Sequence, residues 1–231
     1  MSETIRITVL VENSVQMRGL RAEHGLAFHL QAGERSVLFD TGPGDLILEN
    51  ARKLRIDLDN LDAIALSHGH YDHTGGLAGV LAIAPRAKVF LHPAVLQGRC
   101  VREPDGSLRS LGLTATTREI LEKTQIIQTP EMAEIIPGLF VTGQIPRETT
   151  FEDVGGAFFL DDACAKPDSI IDDQALFFES RAGIVVLLGC AHAGVVNTLR
   201  HVQRLTHGKP FAAVVLVENK AIQLEFRDVG K

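Results

Sequence analysis

Three histidines and an aspartate fall within six residues of the run Leu66-Ser67-His68-Gly69-His70-Tyr71-Asp72-His73-Thr74-Gly75-Gly76. The spacing has a physical meaning. His68 and His70 are two apart, so at an extended strand end both imidazoles face the same side. Asp72 and His73 follow where a turn into a helix can aim them at a neighbouring point. Imidazole with carboxylate is a donor set for zinc, and equally for iron or manganese. The chemistry of such a centre is the activation of water at neutral pH, and Asp72 is placed to orient the nucleophile.

Other residues are candidates by position. His192 stands between the apolar strand Ile184–Leu188 and a helical stripe, where rigid elements would hold it, and it would complete a three-histidine set with His68 and His70. Cys190, two residues earlier, is either a soft ligand or, the commoner fate of a single cysteine, a small buried hydrophobe. His92 in Leu91-His92-Pro93 reads as a structural or substrate-contacting histidine rather than a ligand. Asp40 in Phe39-Asp40-Thr41-Gly42 is either a carboxylate that orients a ligating imidazole from behind or a turn cap. His24, His29, His201 and His207 have no partner at a readable spacing and are assigned to surface or core. Gly75-Gly76 would let a helix N-terminus approach an anion, and tight packing explains the pair equally well.

These side chains need a scaffold. Ile5, Ile7, Val9 and Val11 alternate with less apolar neighbours, the signature of a strand with one buried face. Strands are expected at 25–31, 35–39, 63–66, 88–91, 175–179, 183–188 and 210–217. Helical spacing links Ile47, Ala51 and Leu54, and again Val195, Leu199, Val202 and Leu205. A third helix is expected after Thr74 and a fourth over 117–123. Strands lead and helices join them later, which is α/β or α+β layering rather than a strict βαβ repeat. The stretch 98–112, containing Pro104-Asp105-Gly106, reads as a polar loop, a lid or an insertion. No linker divides residues 1–231, so a single domain is expected.

Composition narrows the class. Of 231 residues, 45% are hydrophobic and 23% charged, a globular balance. Lys plus Arg is 23 and Asp plus Glu is 29, so the formal net charge is −6. An acidic chain without a basic cluster argues against nucleic acid as a partner. The apolar run Ile184–Leu188 is far too short to span a bilayer, and the N-terminus lacks the layout of a signal peptide. Three widely spaced cysteines make a disulfide framework improbable and fit a reducing cytoplasm. The expected partner is a small-molecule substrate. Whether the chain forms a homo-oligomer is open.

The HxHxDH run after an apolar strand, with Phe39-Asp40-Thr41-Gly42 upstream, resembles the metallo-β-lactamase-fold hydrolases. Leu10-Val11-Glu12-Asn13, Thr142-Gly143-Gln144-Ile145-Pro146-Arg147, Asp172-Asp173-Gln174-Ala175-Leu176 and Gly189-Cys190-Ala191-His192-Ala193-Gly194 narrow this to one branch. They are similar to the dihydropterin-ribofuranosylaminobenzene phosphate synthase-like branch, over residues 4 to 214 or so. The resemblance implies an αββα sandwich with two metals, zinc first among the options. His68, His70 and His192 would hold the first metal, and Asp72 with His73 the second. It also points to Arg147, whose guanidinium would grip a phosphate or carboxylate; an ordinary exposed loop arginine is the equal alternative.

One departure matters. The family presents a further histidine after the last buried strand, as a ligand of the second metal. Here Phe211–Val215 runs into Leu216-Val217-Glu218-Asn219-Lys220, and no histidine follows His207. Asp72 and His73 are then expected to lack a third protein partner, leaving the second site weak, completed from elsewhere, or absent. Two functions follow. One is a metal-dependent hydrolase-type enzyme acting on a phosphorylated or pterin-like molecule. The other is a metal-binding or ligand-sensing protein that has lost turnover.

Overall fold

The computed structural model describes residues 3–161, 163–216 and 223–229. In chain order its elements are β1 (Glu3–Val11), β2 (Ala27–Ala32), β3 (Arg35–Phe39), α1 (Leu46–Leu54), β4 (Ala63–Ala65), α2 (Tyr71–Thr74), α3 (Leu77–Ile83), β5 (Lys88–Leu91), β6 (Cys100–Arg102) and β7 (Leu108–Ser110). There follow α4 (Ala115–Leu121), β8 (Ile126–Gln128), β9 (Ala133–Ile136), β10 (Leu139–Val141), β11 (Phe158–Phe159), β12 (Leu176–Ser180), β13 (Gly183–Leu187), α5 (Val195–Leu205), β14 (Phe211–Val215) and β15 (Gln223–Val229).

Two sheets carry the architecture. One has the order β15-β1-β2-β3-β4-β5-β8 and the other β14-β13-β12-β10-β9. Period-two alternation explains how they meet. Ile5, Ile7, Val9, Phe28, Leu30, Val37, Phe39 and Phe90 point inward from the first sheet, against Leu139, Val141, Leu176, Phe178, Val185 and Leu187 of the second. The residues between them point outward. Leu38, Ile64, Val89 and Leu91 pack under α1 and α3, through Ile47, Ala51, Leu77, Val80 and Leu81. Phe177, Ile184, Val186 and Leu188 pack under α5, against Val202. The result is an αββα sandwich, as the resemblance implies. Fully burying each of Phe28, Phe39 and Phe178 stabilises it by about 1.5–3 kcal/mol.

Strand direction sets where a site can form. β3, β4, β5 and β8 run parallel, and β13 runs parallel to β14. Asp40 leaves the end of β3, Ser67–His73 follow β4, His92 follows β5, and Cys190 and His192 follow β13. All of these segments therefore gather near the carboxyl ends of parallel strands, the usual ligand edge of an α/β sheet.

One expectation is made specific. Residues 98–112, read as a polar loop, a lid or an insertion, carry β6 and β7, a hairpin that joins β11 in a three-stranded sheet. Pro104-Asp105-Gly106 is the tip of that hairpin, where the Glu103 carbonyl accepts from Gly106 N–H. The short strands β8, β9 and β10 carry too few residues for a periodic signal and were not expected. No helix among the described residues is long and apolar enough to cross a membrane.

Candidate metal centre

His68 and His70 sit on the loop between β4 and α2, and their rings meet edge to face with centroids 4.6 Å apart. His68 Nε2 and His70 Nδ1 are separated by 2.9 Å. His192 approaches from the other sheet, its ring 4.7 Å from His68 and 5.0 Å from His70. Its Nδ1 donates to the Val154 carbonyl at 2.7 Å. That bond fixes the tautomer, so Nε2 carries the lone pair, and Nε2 is buried without any partner. His70 Nε2 is likewise buried and unpartnered. Phe158 lies over both rings, 5.0 Å from His70 and 5.5 Å from His192.

A second convergence lies beside the first. One donor atom from each of His68, His70 and His192 falls within 4.8 Å of the others, and the same holds for His68, His73 and Cys190. Cys190 Sγ is 3.0 Å from His73 Nε2. The expectation of a small buried hydrophobe at Cys190 is therefore corrected: its sulfur is at the site. Asp72 Oδ2 is 3.5 Å from His73 Nε2. Two neutral nitrogens, a thiol and a carboxylate with open lone pairs are groups that fit a divalent transition metal.

Asp40 supports the cluster from behind. Its buried carboxylate accepts from Ser67 N–H and Ser67 Oγ, each at 2.7 Å, and from His73 Nδ1 at 2.7 Å. Ser67 Oγ in turn lies 2.9 Å from His68 Nδ1. Asp40 holds a left-handed backbone, φ 63°, which a short polar side chain tolerates. Gly189 passes so close that a Cβ there would be 2.6 Å from the Ser67 side chain.

The electrostatics separate the histidines. Burial, followed by the charges of His73, His192 and His70, holds His68 well below the ordinary imidazole range. Burial and then His192 push His70 down to about 2. Both rings are neutral and available as ligands. His73 goes the other way, because Cys190 and Asp40 outweigh the burial that opposes its charge. The Cys190 thiol is drawn down to about 7; burial opposes this, but neighbouring His73 and His192 win. A thiol with that value is already substantially thiolate at neutral pH.

Several supporting residues carry weak sequence signals. Arg99, fully buried, pairs with Asp168 at 2.7 Å through Nε and with Asp172 through both terminal nitrogens. Asp172 Oδ2 also accepts from Gly69 N–H at 2.8 Å, bracing the backbone between His68 and His70. Asp172 belongs to a sequence block that points at the family, but Arg99 stands in what reads as a polar loop. Arg147 Nη2 donates to the carbonyls of Ser169 and His192, at 2.7 and 2.6 Å, so this guanidinium steadies the His192 segment. His92 Nδ1 accepts from Ala94 N–H, capping the turn Pro93–Leu96. Gly75 and Gly76 press against the backbone of Pro43 and Thr41, which is the packing explanation. The C-terminal stretch 217–222, where a further histidine was sought, lies outside the described residues.

An αββα sandwich that gathers imidazoles from both sheets at one edge defines the metallo-β-lactamase fold, and comparison with known proteins agrees. The metallo-β-lactamase superfamily model matches residues 20–107. The solved structure of Tm1679, a metal-dependent hydrolase of the β-lactamase superfamily, superposes with a TM-score of 0.74 at 32% identity, over 91% of this chain and 75% of that one. The chain belongs to the metallo-β-lactamase superfamily. It is also 30% identical, over 191 residues, to the 7,8-dihydropterin-6-methyl-4-(β-D-ribofuranosyl)-aminobenzene-5'-phosphate synthase of Methanocaldococcus jannaschii. That match covers 78% of this chain and 65% of the synthase. An N-acyl homoserine lactone hydrolase with product bound at its catalytic metal centre shares the fold, at a TM-score of 0.50 and 17% identity, over 90% of this chain and 88% of that one.

Proposed function

We propose that this chain is a metal-dependent enzyme of hydrolase type, acting on a phosphorylated or pterin-like small molecule with a water activated at the His68–His70–His192 centre. The observation that carries the reading is His192 Nε2, buried, unpartnered and held in its ligating tautomer by Val154. When bound, the metal lowers the pKa of a water to near neutral and polarises the bond under attack. The protein's own part is orientation. Asp40 fixes the His73 ring and, through Ser67, the His68 ring. Asp72, at the rim beside His73, orients the attacking water with its carboxylate. Phe158 closes one side of the imidazole cluster against bulk solvent.

The substrate class rests on similarity. The relative from Methanocaldococcus jannaschii is named for a pterin and a phosphate, and Tm1679 is named a hydrolase. A panel of one phosphodiester, one phosphomonoester and one lactone, run with and without a chelator, tests the reading. Chelator-sensitive turnover of a member is expected. Ligand binding with no turnover on any member would replace the enzyme by a sensor on the same fold. Elemental analysis of the purified protein decides among zinc, iron and manganese.

A further inference from the structure

The outer face of the first sheet changes character along its strands. Under α1 it is apolar: Leu10 on β1, Ala27 on β2 and Leu38 on β3 share one buried layer with Ile47 and Ala51. Two residues along each strand, on the same face, stand Thr8, His29 and Ser36. Thr8 pairs across the ladder with His29, and Gln31 with Ser36. α1 stops short of them. Arg55 ends the helix in the left-handed region, φ 57°. A cavity of about 490 Å³ is left over this polar floor, with Leu54 and Ile56 as its apolar wall.

The floor is not ordinary surface. Thr8, His29 and Ser36 are 8%, 5% and 7% exposed, which is core burial. Their polar atoms nevertheless have capacity to spare. His29 Nε2 and Ser36 Oγ are 2.8 Å apart, and burial keeps the imidazole neutral at pH 7. Whichever of the two donates, the pair leaves one donor and one acceptor for a third group. The Thr8 hydroxyl has no hydrogen-bond partner among the described residues. Buried polar groups are normally satisfied, by the protein or by a bound molecule.

The rim decides what kind of molecule fits. Arg6 and Arg55 stand there against Glu34 and Asp57, two charges of each sign, so the cavity selects no ion. The Asp57 carboxylate is also engaged by Asp59 N–H and Asn60 Nδ2. Hydroxyl groups, each donor and acceptor at once, match the floor, and C–H groups match Leu54 and Ile56.

We propose that this cavity is a binding site for a small uncharged polyol of monosaccharide size, gripped by Thr8, His29 and Ser36 and packed on Leu54 and Ile56. Its volume is within the range of small-molecule sites. It is separate from the metal centre: Ser36 lies near the start of β3, whereas Asp40 follows its end. Occupancy therefore does not require the metal.

Saturation-transfer NMR on the full-length protein tests this, with D-glucose, D-ribose and myo-inositol as separate probes. Saturable transfer to at least one is expected, unchanged by a chelator. Thr8→Val keeps the β-branched shape and should weaken that binding about 5-fold or more, the effect of one lost hydrogen bond. Its melting temperature should not fall, because the hydroxyl holds nothing within the fold. No saturable transfer to any of the three overturns the site. Binding as tight in Thr8→Val as in the parent overturns its placement, and so does binding that disappears with the chelator. Inorganic phosphate is the contrasting probe: phosphate binding that is lost in Arg55→Ala would overturn the uncharged class.

Discussion

Asp40 Oδ2 lies 2.7 Å from His73 Nδ1, and the same carboxylate holds Ser67 through both its N–H and its hydroxyl. One buried acid therefore orients two of the imidazoles that face the metal edge. Its replacement is informative because Asn tolerates the left-handed backbone almost as well as Asp. Asp40→Asn should keep the fold and lower metal affinity by about 10- to 100-fold. Competition against a chelating dye measures this. An unchanged affinity would show that His73 needs no carboxylate behind it.

Replacing both His68 and His70 by Ala should remove most of the bound metal, because the two carry facing nitrogens 2.9 Å apart. His192→Ala should weaken the first metal more than His92→Ala, since His92 caps a turn and His192 presents a free nitrogen. Elemental analysis after gel filtration provides the stoichiometry. The reverse order of the two single variants would mean that His92 is the ligand.

Arg99 is enclosed between Asp168 and Asp172. Arg99→Met strands two buried carboxylates without their cation, which typically costs about 3–5 kcal/mol. Urea denaturation should show that loss as a lower midpoint with an unchanged slope. A loss under about 1 kcal/mol would mean that water reaches the pair.

The metal-free protein should weaken in mild acid in part through His29. This ring is buried against Ser36 Oγ, 2.8 Å away, and burial pushes it down to about 4 from an ordinary 6.5. The unfolded chain binds the proton first, so the contribution is fully present above pH 6.5 and is lost as pH falls toward 4. His29→Gln removes this titration while retaining a partner for Ser36. Its melting temperature should fall less than the parent's between pH 7 and pH 4.5. Equal falls would assign the acid sensitivity to other groups, among them His68 and His70, which are shifted in the same direction.

The part of the site that was legible in the sequence is the part encoded locally. His68, His70, Asp72 and His73 share one turn, and His192 follows a strand whose apolar run is unmistakable. β1 declares itself by alternation and β13 by its continuous apolar run, both local signals. What escaped is non-local. Cys190 has no partner near it in the sequence, and its meaning depends on His73, which reaches its sulfur across the sandwich. Arg99 sits in a hairpin whose strands are three residues long, too short for any period to show.

Glu152 caps a helix to which it does not belong. Its carboxylate accepts from Val196 N–H at 2.8 Å and Asn197 N–H at 3.0 Å, in the first turn of α5. Gly194 makes room for it, since a Cβ there would collide with that carboxylate. Val154, two residues on, is the acceptor that sets the His192 tautomer. The segment over the metal edge is thus moored to the start of α5 by this charge at a helix dipole and by Asn197, whose Oδ1 accepts from the N–H groups of Glu148 and Thr149. The Glu152 part of that mooring weakens as ionic strength rises and when its carboxylate is neutralised, while the apolar core beneath it is not held by charge. The covering segment and the scaffold consequently answer in part to different solution variables, and salt acts on the ionic share of what holds Val154 against His192.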